Sequence, residues 1–200
     1  MPDPSLLEIY RREFSPETYM EIRELYKTHS IAEDARDLPG LISTLTPDCV
    51  YELVQTGHRW EGHEGAARFY TELLTAFPDI RFDLTDIVIG PQGVCEEANV
   101  SATHAADWLG VPPTGERLEW QVVIWFPWDQ GRRLFRGEKV YVSGIPIPER
   151  TYVVRPADTL WSIAARTYAG DPRQGVWELQ RRNHLSSDTL RPGQKLVLPG

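Results

Sequence analysis

Few side chains in this sequence stand where proton-transfer chemistry could use them, and His104 comes first. Over 93–107 the residues alternate: Ala98, Val100, Ala102, His104 and Ala106 share one face, and Glu97, Asn99, Ser101 and Thr103 share the other. His104 is the one ionisable group near the end of an otherwise apolar strand face. An imidazole in low dielectric is a general acid–base group whose pKa burial moves. The alternative is a core histidine hydrogen-bonded to a neighbour. Glu138 shares a face with Leu134, Val140 and Val142, and Glu52 shares a side with Val50 and Val54. Either carboxylate, within hydrogen-bond reach of His104 directly or through one water, would complete a catalytic pair. Each could equally be a satisfied polar group at the rim of a pocket. Tyr141 alternates to the face opposite Glu138 unless Gly137 introduces a bulge.

Other candidate constellations point to structure. His58 and His63, with Glu61 and Glu64, lack the i, i+4 spacing of a helical zinc pair, and Gly62 argues for a solvated turn. Trp120, Trp125 and Trp128 form an aromatic cluster whose default role is packing, with Trp125 opposite the apolar stripe on the outer face. Cys49 and Cys95 both sit in strand-like apolar runs and read as buried free thiols. No Gly-rich phosphate loop, nucleophile elbow or cysteine-based site is present.

These residues need elements to position them. Helical spacing runs over 17–33, with Tyr19, Met20, Ile22, Leu25, Tyr26 and Ile31 as candidate core. A short helix opens at Asp37-Leu38-Pro39 and runs through Leu45. Thr46-Pro47-Asp48 ends it, and a strand follows from Cys49 to Gln55. Gly57, Gly62 and Gly65 bracket a turn. A third helix covers Ala66 to Phe77, where Pro78 stops it. Strands are expected at 81–89, 93–107, 117–127 and 133–143, the third with Leu118, Trp120, Val122, Ile124 and Phe126 on one face. Helices first and antiparallel strands later indicate an α+β fold, with helices on one face of a curved sheet.

Gly144-Ile145-Pro146-Ile147-Pro148 reads as a short, stiff linker, so the expected division is a domain at 1–143, a linker at 144–150 and a second domain at 151–200. The last stretch reads strand, helix, helix, strand. Asp158 stands at a helix N-cap position before Leu160, Ile163 and Ala164. Asp171-Pro172 opens the second helix, and Pro192-Gly193 makes the turn into the closing strand.

Net charge is −8 but uneven. Residues 1–148 hold 24 acidic and 13 basic side chains, whereas 149–200 hold 5 and 8. The acidic body argues against nucleic acid or an anionic membrane as its partner. The N-terminus carries neither a basic region nor a long apolar run, and no stretch approaches the length of a membrane span, so a cytoplasmic location is expected.

Two families are resembled. The segments Tyr152-Val153-Val154, Ala157-Asp158-Thr159-Leu160, Ile163-Ala164, Asn183 and Leu190-Arg191-Pro192-Gly193-Gln194 through Pro199 closely resemble a LysM module, with Ala157 where the family has glycine. That resemblance implies binding of N-acetylglucosamine-containing glycan, such as peptidoglycan or chitin, in a shallow groove between two loops. The groove residues would be Pro156, Ala157, Asp158, Thr159, Asn183, Leu185 and Ser186. For Asp158 and Asn183, capping and loop-holding also explain the side chains. LysM-like modules also serve as adaptors in phage-tail-like assemblies, which makes a scaffold protein the alternative partner.

Residues 15–143 resemble a SnoaL-like polyketide cyclase domain of the NTF2-like superfamily. The matching segments include Asp48-x-Val50-Tyr51, Trp60-Glu61-Gly62, Ala76-Phe77-Pro78-Asp79, Thr103-His104, Leu109-Gly110-Val111-Pro112-Pro113-Thr114-Gly115 and Gly137-Glu138-Lys139-Val140-Tyr141. The resemblance implies a cone-shaped curved sheet closed by helices around an apolar pocket. It implies cyclisation, isomerisation or hydration of an apolar small molecule without metal or organic cofactor, or binding alone. His104, Glu138 and Glu52 are then the catalytic candidates, and His29, Tyr51, Trp60, Trp120 and Tyr141 the substrate-binding set. His29 falls where isomerase-type members place a pocket tyrosine, but their third-strand acid is Ile124 here. Bulky outward residues such as Trp125 and Phe135 point to a homodimer through the outer face of the sheet.

Overall fold

In the computed structural model, which describes residues 8, 11–143, 151–168 and 171–198, helix α1 (Pro16–Asp34) begins where the Ser15 side chain accepts a hydrogen bond from the Thr18 amide and Pro16 takes the first helical position. Its buried face is Ile22, Tyr26, His29 and Ala32, spaced three or four residues apart. Tyr19, Met20 and Ile31, expected in the core, are exposed instead. The stripe is centred on a polar residue, His29, that a count of apolar positions passes over. The expected linker, 144–150, lies outside the described residues, as does Pro199.

Asp37 caps α2 (Leu38–Ile42) by accepting from the Gly40 amide. The chain then enters β1 (Leu45–Leu53) four residues earlier than expected. Thr46-Pro47-Asp48 lies inside that strand because the β1 ladder is irregular between Leu45 and Val50, which tolerates the missing Pro47 N–H. The expected turn at 57–65 holds a short strand, β2 (His58–Glu61), paired antiparallel with β1 in the register Tyr51↔Trp60. Helix α3 (Gly62–Ala76) buries Phe69, Tyr70 and Leu73 on one face. The chain continues as β3 (Arg81–Gly90), β4 (Gly93–Thr103), β5 (Arg117–Asp129) and β6 (Leu134–Ser143). The six strands run in the order β2-β1-β6-β5-β4-β3, antiparallel except for the parallel pairing of β1 with β6.

Strand β6 departs from simple alternation. Its pairing with β5 shifts between Trp125↔Lys139 and Trp128↔Phe135, so one extra residue is accommodated near Gly137. Gly137 has φ of 102°, and a Cβ there would meet the Val50 carbonyl oxygen at 2.1 Å. In consequence Phe135 turns inward and is fully buried, against the expectation that it faces outward. Beyond the bulge Glu138 faces inward with Val140, as alternation expects.

The second unit holds β7 (Thr151–Val153), α4 (Leu160–Thr167), α5 (Pro172–Arg182) and β8 (Lys195–Val197), with β7 and β8 antiparallel. Its core is Val154, Leu160, Ile163, Ala164, Leu179, Leu196 and Leu198. The N-cap of α4 is Thr159 rather than Asp158, and Thr159 and Ser162 bond reciprocally as a capping box. No described helix is long and apolar enough to cross a membrane.

Candidate active site

The same inward faces collect a group of buried acids and phenols. Tyr26, His29 and Glu33 stand three and seven residues apart along α1 and so share its sheet-facing side. Tyr70 comes from α3, Glu96 from the inward face of β4 and Glu138 from β6. Between α1 and strands β3 and β4 lies a cleft of about 410 Å³. Phe82, Leu84, Ile87, Ile89 and Ala98 make its apolar wall. Tyr26, Glu33 and Glu96 bring ionisable groups to it, with Arg23 and Lys27 on the α1 side.

Glu96 is 8 % exposed and accepts a hydrogen bond from the Tyr26 hydroxyl. Burial pushes its carboxyl up to about 7, with the Glu138 charge adding and the Tyr26 bond opposing. The Tyr26 phenol is pushed up as well, by burial first and the Glu96 charge second. Burial, then the charges of Glu138 and Glu96, raise the half-buried Glu33 well above the usual carboxylate range. A carboxyl near 7 beside a second carboxyl that is also raised has the makings of an acid–base pair at neutral pH.

Behind the cleft, His29 Nε2 lies 3.0 Å from Glu138 Oε1, and its Nδ1 lies 2.6 Å from Thr44 Oγ1. The Tyr70 hydroxyl donates to the same Glu138 oxygen at 2.8 Å. A histidine–carboxylate pair therefore exists, but its histidine is His29. His104 is fully buried, stacks on Phe77 at 5.2 Å and has no hydrogen-bond partner at either ring nitrogen. It does not line the cleft, because strand β4 carries it to the far end from Glu96, among Phe77, Trp108 and Trp120. Glu52 points outward, where Arg59 lies 3.6 Å away, because Tyr51 takes the inward position of β1.

Of the expected substrate-binding set, Tyr51 and Trp60 pack on Phe69 at 5.1 and 5.0 Å, and Trp120 packs on Phe77. Tyr141 is 43 % exposed on the outer face, since the bulge lies before Glu138 and leaves the alternation of Glu138, Val140 and Tyr141 unchanged. None of the five, His29 included, lines the cleft. The sequence reading passed over Tyr26, Glu33, Tyr70 and Glu96. Two signals could have found three of them: Glu96 has the parity of Ala98 and His104, and Tyr26 and Glu33 flank His29 at helical spacing. His58 stacks on Trp60, and His63 Nε2 lies 3.2 Å from the Leu45 carbonyl.

In the second unit, Asp158 accepts from the Arg155 amide at 2.7 Å, the Tyr152 hydroxyl at 2.8 Å and Arg166 at 2.5 Å. The amide bond first, opposed in part by burial and joined by the other two donors, lowers its carboxyl to about 2. Asn183 bonds the Leu179 and Val197 carbonyls and accepts from the Val197 amide, pinning α5 to β8. Both side chains thus hold loops. Pro156, Ala157, Thr159 and Ser186 are exposed, and Leu185 packs against the core. The concavity at the α5–β8 loop is lined by Trp177, Gln180, Arg181 and His184 with Leu185 to Asp188, and not by Pro156 to Thr159.

Comparison with known proteins agrees with this architecture. The family model of SnoaL-like polyketide cyclases matches residues 22–133, and that of the LysM domain matches 152–199. No curated protein matches the chain. Among solved structures, a SnoaL-like protein from a Jannaschia species superposes with a TM-score of 0.58 at 20 % identity, over 68 % of this chain and 99 % of its own. AclR from Streptomyces galilaeus gives 0.52 at 24 % identity, over 64 % and 92 %. An NTF2-like protein from Burkholderia pseudomallei gives 0.53 at 15 % identity, over 62 % and 92 %. At these identities the superpositions show the fold alone. With the family match spanning more than half of its length, the chain belongs to the SnoaL-like polyketide cyclase family and carries a LysM domain after its cyclase-like domain.

Proposed function

We propose that the first domain is an enzyme that moves protons on an apolar carbonyl compound, in the manner of a cyclase, isomerase or hydratase. The observation that carries this reading is Glu96, a carboxyl near pKa 7 on the apolar wall of a cleft, held by Tyr26. Ionised Glu96 takes a C–H proton next to the carbonyl, and the electron pair moves onto the carbonyl oxygen. Protonated Glu33 donates a hydrogen bond to that oxygen as charge develops there. Carboxyls and a phenol supply this chemistry by themselves, so the reading calls for no metal or organic cofactor. The test is solvent deuterium exchange into 2-tetralone, an apolar bicyclic ketone, followed by NMR. Glu96→Gln is expected to slow enzyme-dependent exchange about 10²–10⁴-fold. Exchange that is independent of Glu96, or absent from the unaltered protein, would leave a ligand-binding role for the domain.

The second reading concerns the tail. A LysM domain with an exposed loop at Pro156–Thr159 supports attachment to N-acetylglucosamine-containing glycan, with a scaffold protein as the alternative. Millimolar chitin oligomers are expected to shift the module's amide resonances, and Thr159→Trp to weaken that response. No shift at all would favour the protein partner. A cytoplasmic location belongs to the same reading and would suit the protein partner better than the glycan.

A further inference from the structure

Helix α1 meets the cleft along two ridges. Tyr26, Ser30 and Glu33 form the inner one, and Tyr19, Arg23, Lys27 and Ile31, four residues apart, form the rim. The facing wall on β3 is apolar because of a bulge. Leu84 pairs with Ala98 and Asp86 with Glu97, so Thr85 is an extra residue. It leaves Phe82, Leu84, Ile87 and Ile89 all lining the cleft, while Asp83 and Asp86 do not. Leu84 is 52 % exposed on that wall, an apolar surface that a bound molecule would cover. No β3 carboxylate therefore answers the two cations of the rim. Arg23 is bonded to Glu24 at 2.7 Å, and Glu24 does not line the cleft. Lys27 has no ion-pair partner among the described residues. One positive charge at this end is left unmatched. The acids of the cleft lie elsewhere. Glu96 is held by Tyr26, and Glu33 and Asp34 stand about 9–10 Å beyond Lys27 along the helix axis.

We propose that the substrate is an apolar ketone bearing a single carboxylate, and that Lys27, assisted by Arg23, binds this carboxylate at the rim of the cleft. This assignment rests on the reading of Glu96 and Glu33 as base and acid, and it names the substrate class they act on. The apolar body of such a molecule covers Leu84 and its neighbours on β3. One negative charge matches the one unmatched cation. The arrangement also sets direction. Lys27 attracts the carboxylate at one end of the cleft, and Asp34 repels it from the other. The ketone end is thereby turned toward Glu33, where the proposed reaction needs a hydrogen-bond donor. A neutral ketone would fit the same wall with no preference between its two orientations. Lys27 is then a specificity-determining residue, and it takes no part in proton transfer.

The test is a binding measurement on the full chain with two non-reacting probes, 2-naphthylacetate and its neutral counterpart 2-(2-naphthyl)ethanol. Both are titrated by calorimetry at low salt and about pH 6, below the Glu96 midpoint of about 7, so that an ionised Glu96 does not repel the acid. The acid is expected to bind about fivefold more tightly than the alcohol, the scale of an ion pair at a half-open rim. Raising the salt to about 0.3 M is expected to shrink that ratio. Lys27→Gln is expected to bring it below about twofold, Lys27→Arg to keep it, and Lys27→Glu to invert it in favour of the alcohol. Lys27 is exposed, so these variants are expected to fold. Failure of the acid to bind at millimolar concentration, equal affinity for the two probes, or a ratio that Lys27→Gln leaves unchanged overturns the proposal. Because binding needs no turnover, the two readings fail separately. Deuterium exchange without an acid preference removes the carboxylate alone. An acid preference without exchange removes the enzymatic reading and leaves Lys27 as the anion-binding residue of a ligand site.

Discussion

Glu96 shows how one residue's surroundings set both chemistry and stability. Its carboxyl rises from an ordinary 4.5 to about 7 on folding. Between those values the folded chain binds more protons than the unfolded one, so stability is fully retained below pH 4.5 and declines as pH rises through 7. The shift corresponds to about 3 kcal/mol at most. Urea unfolding of the full chain is expected to give a more stable first domain at pH 5 than at pH 8, and Glu96→Gln is expected to reduce that difference, with Glu33, which is raised as well, keeping its own share. An equal slope in the variant would assign the dependence to another group. At the same scale, His104 is buried and yet stands apart from the cleft. Its alternation places it indoors, but a strand face is long, and Glu96 occupies the end that meets α1.

At the scale of elements, the bulge in β6 decides what faces the interior. Gly137→Ala would push a Cβ into the Val50 carbonyl at a positive φ, so backbone has to move. The expected loss is at least ~3 kcal/mol or failure to fold, read from the thermal unfolding of the first domain. A variant that unfolds within a degree or two of the parent would show that the bulge tolerates a side chain. The α4 entry in the LysM domain offers the opposite case. Ala157 sits at φ of 69°, where the family has glycine. Ala157→Gly is expected to stabilise the module by up to ~1 kcal/mol, visible as a higher midpoint for its transition. A lower midpoint would mean that the alanine restricts the unfolded chain more than it strains the folded one.

At the scale of the whole molecule, the outer sheet face carries apolar side chains in adjacent strands. Val88 pairs across Cys95 to Trp125, and Val123 pairs with Tyr141. Val88, Val123 and Tyr141 are exposed. A homodimer through this face is the expected outcome, and Trp125→Glu should convert it to monomer in sedimentation velocity; a parent that is monomeric at micromolar concentration would refute it. The two units should also separate. Residues 1–143 and 151–200 are each expected to unfold cooperatively when expressed alone, and a tail fragment without a transition would argue for a shared core.

Periodicity and caps made the elements legible: the α1 span, the hairpins of β3 to β6 and the LysM order all follow from local patterns of spacing, proline and glycine. Glu138 was placed indoors by its parity with Val140. The sequence alone also marked Gly137 as the place where a bulge could fall. Which residues the bulge turns inward depended on pairing with two neighbouring strands, and Phe135 was therefore misplaced. The acid cluster was decided by tertiary structure for a related reason. Tyr26, Glu33, Tyr70, Glu96 and Glu138 come from four elements up to 112 residues apart, and a carboxyl acquires its pKa from what is packed around it rather than from its neighbours along the chain.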